Sequence, residues 1–136
     1  MRILTGLILI VIISTALLVS TASGQSVERE GKAWLESCPD APALNVTGIW
    51  KDPKWGNLTL NQHQDSRVVI GSGDGWDISG VVSGKSVCLL FSHHDKISFS
   101  AVLKAEGDNE LSGDYVKGLL IENSKSTNPM RLIKVK

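Results

Sequence analysis

The sequence predicts an all-β protein, an eight-stranded antiparallel up-and-down barrel that follows a signal segment and a short N-terminal helix. From Val46 onward, short runs of alternating apolar and polar residues are separated by turn residues at intervals of roughly 8 to 12 residues. No segment of this half keeps a helical period over about ten residues. Strands joined by short turns pair most simply with their neighbours in sequence, and pairing the last strand with the first removes both open edges. A closed barrel is therefore favoured over an open sheet.

The first 24 residues have the features of a signal peptide. An apolar run from Ile3 to Ser20 follows Arg2, the only charged residue of this segment, and the small residues Ala22 and Gly24 stand where a signal peptidase cleaves. The run is also close to the roughly 18 residues that a membrane-spanning helix needs, so an uncleaved anchor is the alternative. We interpret the segment as a signal peptide removed after Gly24, which predicts export to the periplasm or the extracellular space.

The charge balance limits the classes of partner. The chain has 136 residues with 14 basic and 14 acidic side chains. All of the acidic residues lie beyond Gly24, so the exported form would carry one more acidic than basic residue. This balance argues against a nucleic-acid partner, because phosphate backbones are recognised through clustered positive charge. No later apolar run approaches membrane-spanning length, so we expect no membrane contact beyond the N-terminal segment.

Residues 25–44 are predicted to form a short helix and a linker. Ser26–Ser37 is the only plausible helix after the signal segment, and Gly31 interrupts it. A cluster that contains two prolines then ends helical structure, because proline lacks a backbone donor and restricts the residue before it. The barrel domain is assigned to residues 45–136.

Four strands are predicted in the first half of the barrel domain. The turn at 52–54 contains a proline, which favours a turn and cannot continue a strand ladder. Leu58 and Leu60 then share one face of the second strand. The glycine-rich tract 71–75 precedes a strand and not a helix, so it is interpreted as a turn and not as a phosphate-binding loop. The four strands are Val46–Trp50, Asn57–Gln62, Arg67–Gly71 and Trp76–Val82.

Four further strands complete the prediction. Short turns at 83–85, 93–95 and 107–109 separate the fourth to seventh strands. The sixth strand has the clearest alternation in the chain, which predicts that one of its faces is buried. The four strands are Ser86–Phe91, Lys96–Lys104, Leu111–Val116 and Met130–Val135.

Alternation within the strands also predicts the lining of the barrel. The small residues Gly80, Ala101 and Gly113 are expected to leave room in the interior. The aliphatic and aromatic residues predicted to face inward are Leu58, Leu60, Val68, Ile70, Ile78, Val87, Leu89, Ile97, Phe99, Leu103 and Leu111.

Cys38 and Cys88 are the two cysteines of the chain. In an oxidising compartment such a pair favours a disulfide, which would close a loop of about 50 residues and contribute on the order of 4 kcal/mol. Cys88 alternates with Val87 and Leu89, so it is expected to face outward, where the N-terminal segment crosses the barrel wall. Two buried free thiols are the alternative. A catalytic cysteine is disfavoured because neither residue lies in a nucleophile motif.

The sequence Gly48-Ile49-Trp50 resembles the Gly-x-Trp motif with which lipocalins and avidins, members of the calycin superfamily, open their first barrel strand. In those families a basic residue from the last strand packs over the tryptophan ring at the closed end of the barrel. The resemblance implies this role for Arg131, whose guanidinium would make a cation–π contact with Trp50. The chain is shorter than a lipocalin and lacks the C-terminal helix of that family, which makes an avidin-like or other minimal barrel the nearer analogue.

A second segment is similar to a loop of small periplasmic barrels that inhibit lysozyme. Those proteins present a Ser-Gly loop that ends in Tyr, and Ser112, Gly113 and Tyr115 follow that order with one residue fewer. The alternative interpretation is structural: Gly113 relieves crowding and Tyr115 is a barrel-wall aromatic.

The candidate chemical groups do not form a catalytic set. His63, His93 and His94 are all of the histidines; they lie near turns that could share one end of the barrel, and Asp65 and Asp95 are close in sequence. A divalent metal site was one interpretation of these residues, but adjacent side chains in a strand point to opposite faces, which favours solvated loop histidines. No nucleophile motif accompanies them. We expect no enzymatic activity, no metal and no cofactor.

Trp55 and Trp76 lie beside turns, where aromatic side chains at a barrel mouth can stack on a flat or carbohydrate-like ligand. With Tyr115 they are the candidate ligand-binding residues, although tryptophans of a barrel wall need no ligand. The sequence thus favours a secreted or periplasmic non-enzymatic binding module for a small or apolar ligand. The alternative is a protein-interaction module, such as an enzyme inhibitor, that acts through loops at His93–Lys96 and Ser112–Tyr115.

Overall fold

The computed structural model describes residues 22–119 and 127–136, so the predicted signal segment lies almost entirely outside it. Each of the eight strands in these ranges overlaps one predicted strand, which confirms the predicted succession. Within these ranges no helix has the length and apolar character needed to cross a bilayer. The elements are α1 (Ala22–Glu36), β1 (Gly48–Asp52), β2 (Gly56–Gln62), β3 (Val68–Gly73), β4 (Trp76–Ser83), β5 (Ser86–His93), β6 (Lys96–Ala105), β7 (Glu110–Lys117) and β8 (Asn128–Lys134).

The strands form a closed antiparallel barrel in which each strand pairs with its neighbours in sequence. The first and last strands close it, with Trp50 opposite Lys134 and Lys51 opposite Ile133. The predicted closed barrel is therefore confirmed. In an up-and-down barrel the turns after β1, β3 and β5 lie at one end, and those after β2, β4 and β6 lie at the other. We call the first of these the Trp76 end, because Trp76 begins β4 there.

The interior of the barrel is filled by side chains. Each of twelve large residues in it is at most 1% exposed, which is typical of a close-packed core and not of an open chamber. A ligand site must therefore lie at an end of the barrel or on its outer wall. The twelve residues are Leu58, Leu60, Val69, Ile78, Val82, Val87, Leu89, Phe91, Leu103, Leu111, Met130 and Leu132.

Strand β3 faces the opposite way to the prediction. Val69 is fully buried, whereas Val68 is 42% exposed and Ile70 is 55% exposed. Three consecutive apolar residues fit either face, so alternation within β3 does not determine which of them is buried. The pairing of Val69 with the buried Gly80 of β4 determines it.

The prediction that Ile97 faces the interior is also wrong. Ile97 lies against helix α1 on the outer wall, where a Cβ built on Gly31 would stand 2.4 Å from Ile97 Cδ1. The cause is an irregularity in the β5–β6 ladder, in which Phe91 pairs with Phe99 but the next residue, Ser92, pairs with Ile97. A bulge of this kind adds one residue to β6 and breaks its alternation.

Helix α1 packs across the outer wall of β5 and β6. Gly31, which was expected to interrupt the helix, lies inside it and faces the wall, where its missing side chain permits close approach to Leu90. The Arg67 guanidinium donates to the carbonyl oxygen of Leu35 at 3.3 Å and to that of Cys38. These contacts fasten the end of α1 and the segment after it to Arg67, which precedes β3.

The small interior residues do not open a chamber. A Cβ on Gly113 would lie 2.0 Å from the carbonyl oxygen of Val102, and one on Gly80 would lie 2.4 Å from that of Cys88. The neighbouring backbone occupies the space that a side chain would need. These glycines therefore permit close approach of strands, contrary to the expectation that they leave room in the interior.

Candidate ligand-binding site

A pocket of about 370 Å³ opens at the Trp76 end of the barrel. Its residues come from the turns after β1 and β3 and from the ends of β4, β6, β7 and β8. The volume is near the lower limit for small-molecule sites and suits one or two fused rings. The lining of this aromatic pocket is Lys54, Trp55, Asp74, Trp76, Phe99, Tyr115, Lys117 and Asn128.

Trp55 is the centre of the aromatic cluster. Its ring centroid lies 5.2 Å from that of Phe99 and 5.2 Å from that of Tyr115, both in edge-to-face geometry, and 6.2 Å from that of Trp76. It also lies 4.6 Å from the core residue Phe91. Edge-to-face contacts are favourable because the positive edge of one ring meets the negative face of another. The floor of the pocket is therefore continuous with the packed core.

Asp52 holds Trp55 in place, although it was not among the predicted site residues. Its carboxylate is nearly buried, and Oδ1 accepts hydrogen bonds from the backbone N–H groups of Lys54 at 2.7 Å and Trp55 at 3.0 Å. The second oxygen accepts from the backbone N–H of Arg131 at 3.1 Å. These three bonds satisfy the buried carboxylate and tie the turn to β8. An aspartate followed by Pro53 at a strand end is the sequence signal for this turn.

Lys54 and Tyr115 form a polar contact in the pocket. Lys54 Nζ donates to the Tyr115 hydroxyl at 2.8 Å and lies 5.5 Å from the centre of the Tyr115 ring. The hydrogen bond to Tyr115 raises the pKa of Lys54 above its ordinary value, and Asp52 adds to the effect. Lys54 is therefore an ammonium at neutral pH, with further N–H donors for a ligand.

The indole N–H of Trp55 is a buried hydrogen-bond donor. Trp55 is 7% exposed, and its Nε1 has no hydrogen-bond acceptor in the part of the chain that the structure describes. Ser100 Oγ shares this property there, but Ser100 does not line the pocket. A buried donor left unpaired costs about 1–3 kcal/mol.

The structure brings the three candidate ligand-binding residues into one pocket. Trp55 and Tyr115 are buried in its floor, and Trp76 is half-buried at its edge. Phe99, which alternation assigned to the core, completes the aromatic lining. The polar residues of the rim were missed, because single polar residues at strand ends have no distinguishing local pattern.

The cation beside Trp50 is Lys134 and not Arg131, which corrects the prediction. Lys134 Nζ lies 5.8 Å from the centre of the Trp50 ring, whereas the exposed Arg131 side chain pairs with Glu110. Arg131 stands between two buried residues of β8, so alternation directs it outward, away from the inward-facing Trp50. Trp50 is 2% exposed, and its Nε1 donates to the carbonyl oxygen of Val46 at 2.8 Å.

The start of β1 is joined to the C-terminal residues. Ile49 N–H donates to the carbonyl oxygen of Lys136 at 3.0 Å, and Val135 N–H donates to that of Ile49 at 2.7 Å. A Cβ on Gly48 would lie 2.7 Å from the Lys136 oxygen. Glycine at the first position of Gly48-Ile49-Trp50 therefore permits the close approach that joins β1 to the residues after β8.

The histidines lie at different ends of the barrel. His63 is in the turn after β2, whereas His93 and His94 are at the turn after β5, so the expectation that they share an end is wrong. Successive turns of a meander alternate between ends. In the described ranges no group of three His, Cys, Asp or Glu residues is placed to hold a metal ion. His93 borders the pocket, with its ring 5.9 Å from Trp76 and its Nδ1 donating to Gly75 O at 3.2 Å.

Cys38 and Cys88 are adjacent on the outer wall. Their Sγ atoms lie 2.8 Å apart as free thiols, so the disulfide stays a prediction. Cys88 is buried under the N-terminal segment, in the outward orientation that alternation predicts. Burial raises the pKa of the Cys88 thiol, and the hydrogen bond to Cys38 acts in the same direction. This disfavours the thiolate that a nucleophile requires.

A second hollow, of about 530 Å³, lies outside the barrel between α1 and strands β3 and β4. Its lining includes the exposed Val68 and Ile70 and has no aromatic side chain. The Arg67 guanidinium, which lines this hollow, already donates hydrogen bonds to carbonyl groups of the N-terminal segment. The aromatic pocket offers stacking faces and free donors, and it is the better candidate for a ligand site.

Searches of the chain against protein-family models, curated proteins and solved structures found no match. A role for the aromatic pocket is therefore inferred from its own geometry and chemistry.

Proposed function

We propose that this protein is a non-enzymatic binding module that holds a small, flat, mainly apolar ligand in the aromatic pocket. The observation that carries the proposal is the convergence of Trp55, Trp76, Phe99 and Tyr115 on one pocket of about 370 Å³. Aromatic faces bury apolar area and stack on flat ligands. A floor continuous with the core is already ordered, so binding costs little conformational entropy. Because the interior is filled, the ligand lies at the mouth and does not enter the barrel.

The proposal places the protein outside the cytoplasm. The chain is exported with a signal peptide that ends at Gly24, and Cys38 and Cys88 form a disulfide after export. The 2.8 Å separation of the two sulfur atoms supports the bond, since only a small movement is needed to make it. The bond would fasten the segment after α1 to β5. No metal or cofactor has a part in this function.

We also propose that the barrel is calycin-like. Two features support the resemblance: the sequence Gly48-Ile49-Trp50 at the start of β1, and a cation from the last strand over the Trp50 ring. Lys134 takes the role that the resemblance implied for Arg131. Its ammonium makes the same kind of contact, without the planar donors of a guanidinium.

The test is a binding survey with two matched tryptophan variants. Trp76→Ala removes an aromatic wall of the pocket, and Trp34→Ala removes a half-buried tryptophan of helix α1, outside the pocket. A panel of small aromatic compounds and sugars is titrated into each protein, with binding followed by calorimetry and by tryptophan fluorescence. We expect at least one class of compound to bind the parent protein and the Trp34→Ala variant. Its affinity should fall about 10-fold or more in Trp76→Ala, because one stacking surface is lost.

Two results would contradict the proposal. One is that no compound binds the parent protein at millimolar concentration. The other is that Trp34→Ala loses affinity as strongly as Trp76→Ala while both variants keep the far-ultraviolet circular dichroism of the parent.

The second candidate function is a protein-interaction module. The turn His93–Lys96 is exposed and borders the aromatic pocket, which favours it as a contact surface. The segment Ser112–Tyr115 is not favoured as a contact surface, because its residues lie within β7 and Tyr115 is buried. Replacement of the exposed His94 and Asp95 by alanine separates the two functions, since it would weaken a protein contact and leave small-ligand affinity unchanged.

A further inference from the structure

The free polar groups of the aromatic pocket are mainly hydrogen-bond donors. The Tyr115 hydroxyl accepts from Lys54 at 2.8 Å, which leaves its own proton to donate. The ammonium groups of Lys54 and Lys117 accept no hydrogen bonds. A ligand that satisfies these groups must supply acceptors.

The charges of the lining favour a negative ligand. Lys54 and Lys117 are the two cations of the pocket, and Asp74 is its one anion within the described residues. Asp52, which is close to Lys54, already receives three backbone N–H groups and faces the turn. The lining formed by the described residues thus has one positive charge in excess. A monoanion would balance it.

Resting on the proposed function, the geometry points to an aromatic or heteroaromatic monocarboxylate as the class of ligand. Its ring would lie against Trp55 and Trp76, and its carboxylate would receive N–H donors from Lys54 and Lys117. A carboxylate suits these donors because it accepts several hydrogen bonds at once and carries the charge that the pocket lacks. One ring system with a short acid side chain also suits a pocket of about 370 Å³.

The test compares ligands that share a ring and differ in one group, a carboxylate in one and a neutral primary amide in the other. Indole-3-acetate is matched with indole-3-acetamide, and phenylacetate with phenylacetamide, in calorimetric titrations of the purified protein at low salt. We expect each acid to bind about 10-fold more tightly than its amide, because hydrogen bonds to charged groups are the stronger ones. The preference should shrink as salt is added, since the lysines lie at the solvent-exposed rim.

Variants locate the carboxylate. Lys54→Met and Lys117→Met keep the aliphatic stem and remove the charge. Each substitution should lower the affinity ratio of acid to amide several-fold. Lys85→Met is the control, because Lys85 lies in the turn after β4 at the opposite end of the barrel. The three lysines are exposed, so the variants should fold. In a proton–nitrogen correlation spectrum the Trp55 indole signal, assigned with Trp55→Phe, should move when the acid binds.

The outcomes separate this inference from the proposed function. Equal affinity for acid and amide, or an acid preference that survives both lysine variants, would overturn the carboxylate and leave an aromatic binding module. Binding of uncharged compounds alone would do the same. If no member of either pair and no compound of the wider panel binds, both proposals fail.

Discussion

In this barrel the contacts that a side chain makes depend on the strand face on which it lies. Arg131 and Lys134 are both cations of β8, three positions apart, and therefore on opposite faces. Lys134 reaches the Trp50 ring at 5.8 Å, and Arg131 forms a surface ion pair with Glu110. Trp50 stabilises the barrel through burial of its side chain. Lys134 contributes through its contact with the Trp50 ring, and Arg131 contributes through an ion pair that solvent screens.

Three substitutions should separate these contributions. Trp50→Ala is expected to lower the free energy of unfolding by about 3 to 5 kcal/mol, because a large buried side chain is lost. Lys134→Met should cost about 0.5 to 1 kcal/mol, the value of an exposed cation–π contact. Arg131→Met should cost less than Lys134→Met, since surface ion pairs contribute about 0 to 1 kcal/mol. Urea denaturation measures all three, and a larger loss for Arg131→Met than for Lys134→Met would contradict the assignment.

At the scale of elements, the close approach of β6 and β7 depends on one residue. Gly113 pairs with Leu103, and a Cβ at Gly113 would lie 2.0 Å from the Val102 carbonyl oxygen. The obstacle is backbone, which cannot move aside as a flexible side chain can. A methyl group at this position must therefore force the two strands apart.

Gly113→Ala is expected to lower the free energy of unfolding by about 1 to 3 kcal/mol or more, the usual cost of forced overpacking. Ser112→Ala is the neighbouring control on the same strand and should stay within about 0.5 kcal/mol of the parent. Thermal and urea denaturation of both variants provide the measurement. Similar stability of Gly113→Ala and the parent would show that the strands can separate without cost.

The attachment of the N-terminal segment leads to a second prediction at this scale. Protein recovered from an oxidising compartment should have a mass two hydrogens below that of the dithiol form. Reduction should lower its free energy of unfolding by about 4 kcal/mol, because the bond closes a long loop in the unfolded chain. Cys38→Ala is the control and should not respond to reductant. Recovery of a fully reduced protein from that compartment would contradict the disulfide.

At the scale of the whole molecule, closure of the barrel leaves the ends and the outer wall as the surfaces where function can lie. At the opposite end, β1 is joined to the residues after β8, where the Ile49 N–H donates to the Lys136 carbonyl oxygen at 3.0 Å. The Trp76 end is the one that carries the aromatic pocket. The proposed binding site and the Trp50 contacts thus lie at different ends of one barrel, so Trp50→Ala should lower stability and leave the proposed ligand binding unchanged.

Export is a second prediction at this scale. The mature protein should begin at Gln25, which N-terminal sequencing or the intact mass of the exported protein would show. A membrane-bound product that keeps the first 24 residues would favour the uncleaved anchor instead. Gly24→Leu tests the cleavage site and should leave the segment in place, because signal peptidases require a small residue there.

Much of this architecture follows from local patterns. Alternation and turn chemistry act between residues close in sequence, so they predict the eight strands, their order and the helix before them. They also place Trp55 and Trp76 beside turns at one end. They do not indicate Asp52 as the residue that orients Trp55, because its partner at Arg131 is far away in sequence.

The sequence by itself determined the type and succession of elements and three of the four aromatic residues of the candidate site, Trp55, Trp76 and Tyr115. Only the tertiary structure decided that Val69 and not Val68 is buried, that Ile97 lies on the outer wall, that Lys134 and not Arg131 meets Trp50, and that the interior is filled. Those outcomes depend on pairing between strands and on one bulge in β6, which bring together residues distant in sequence. Local alternation describes one strand at a time. The pocket exists only once the barrel has closed and its strand ends meet.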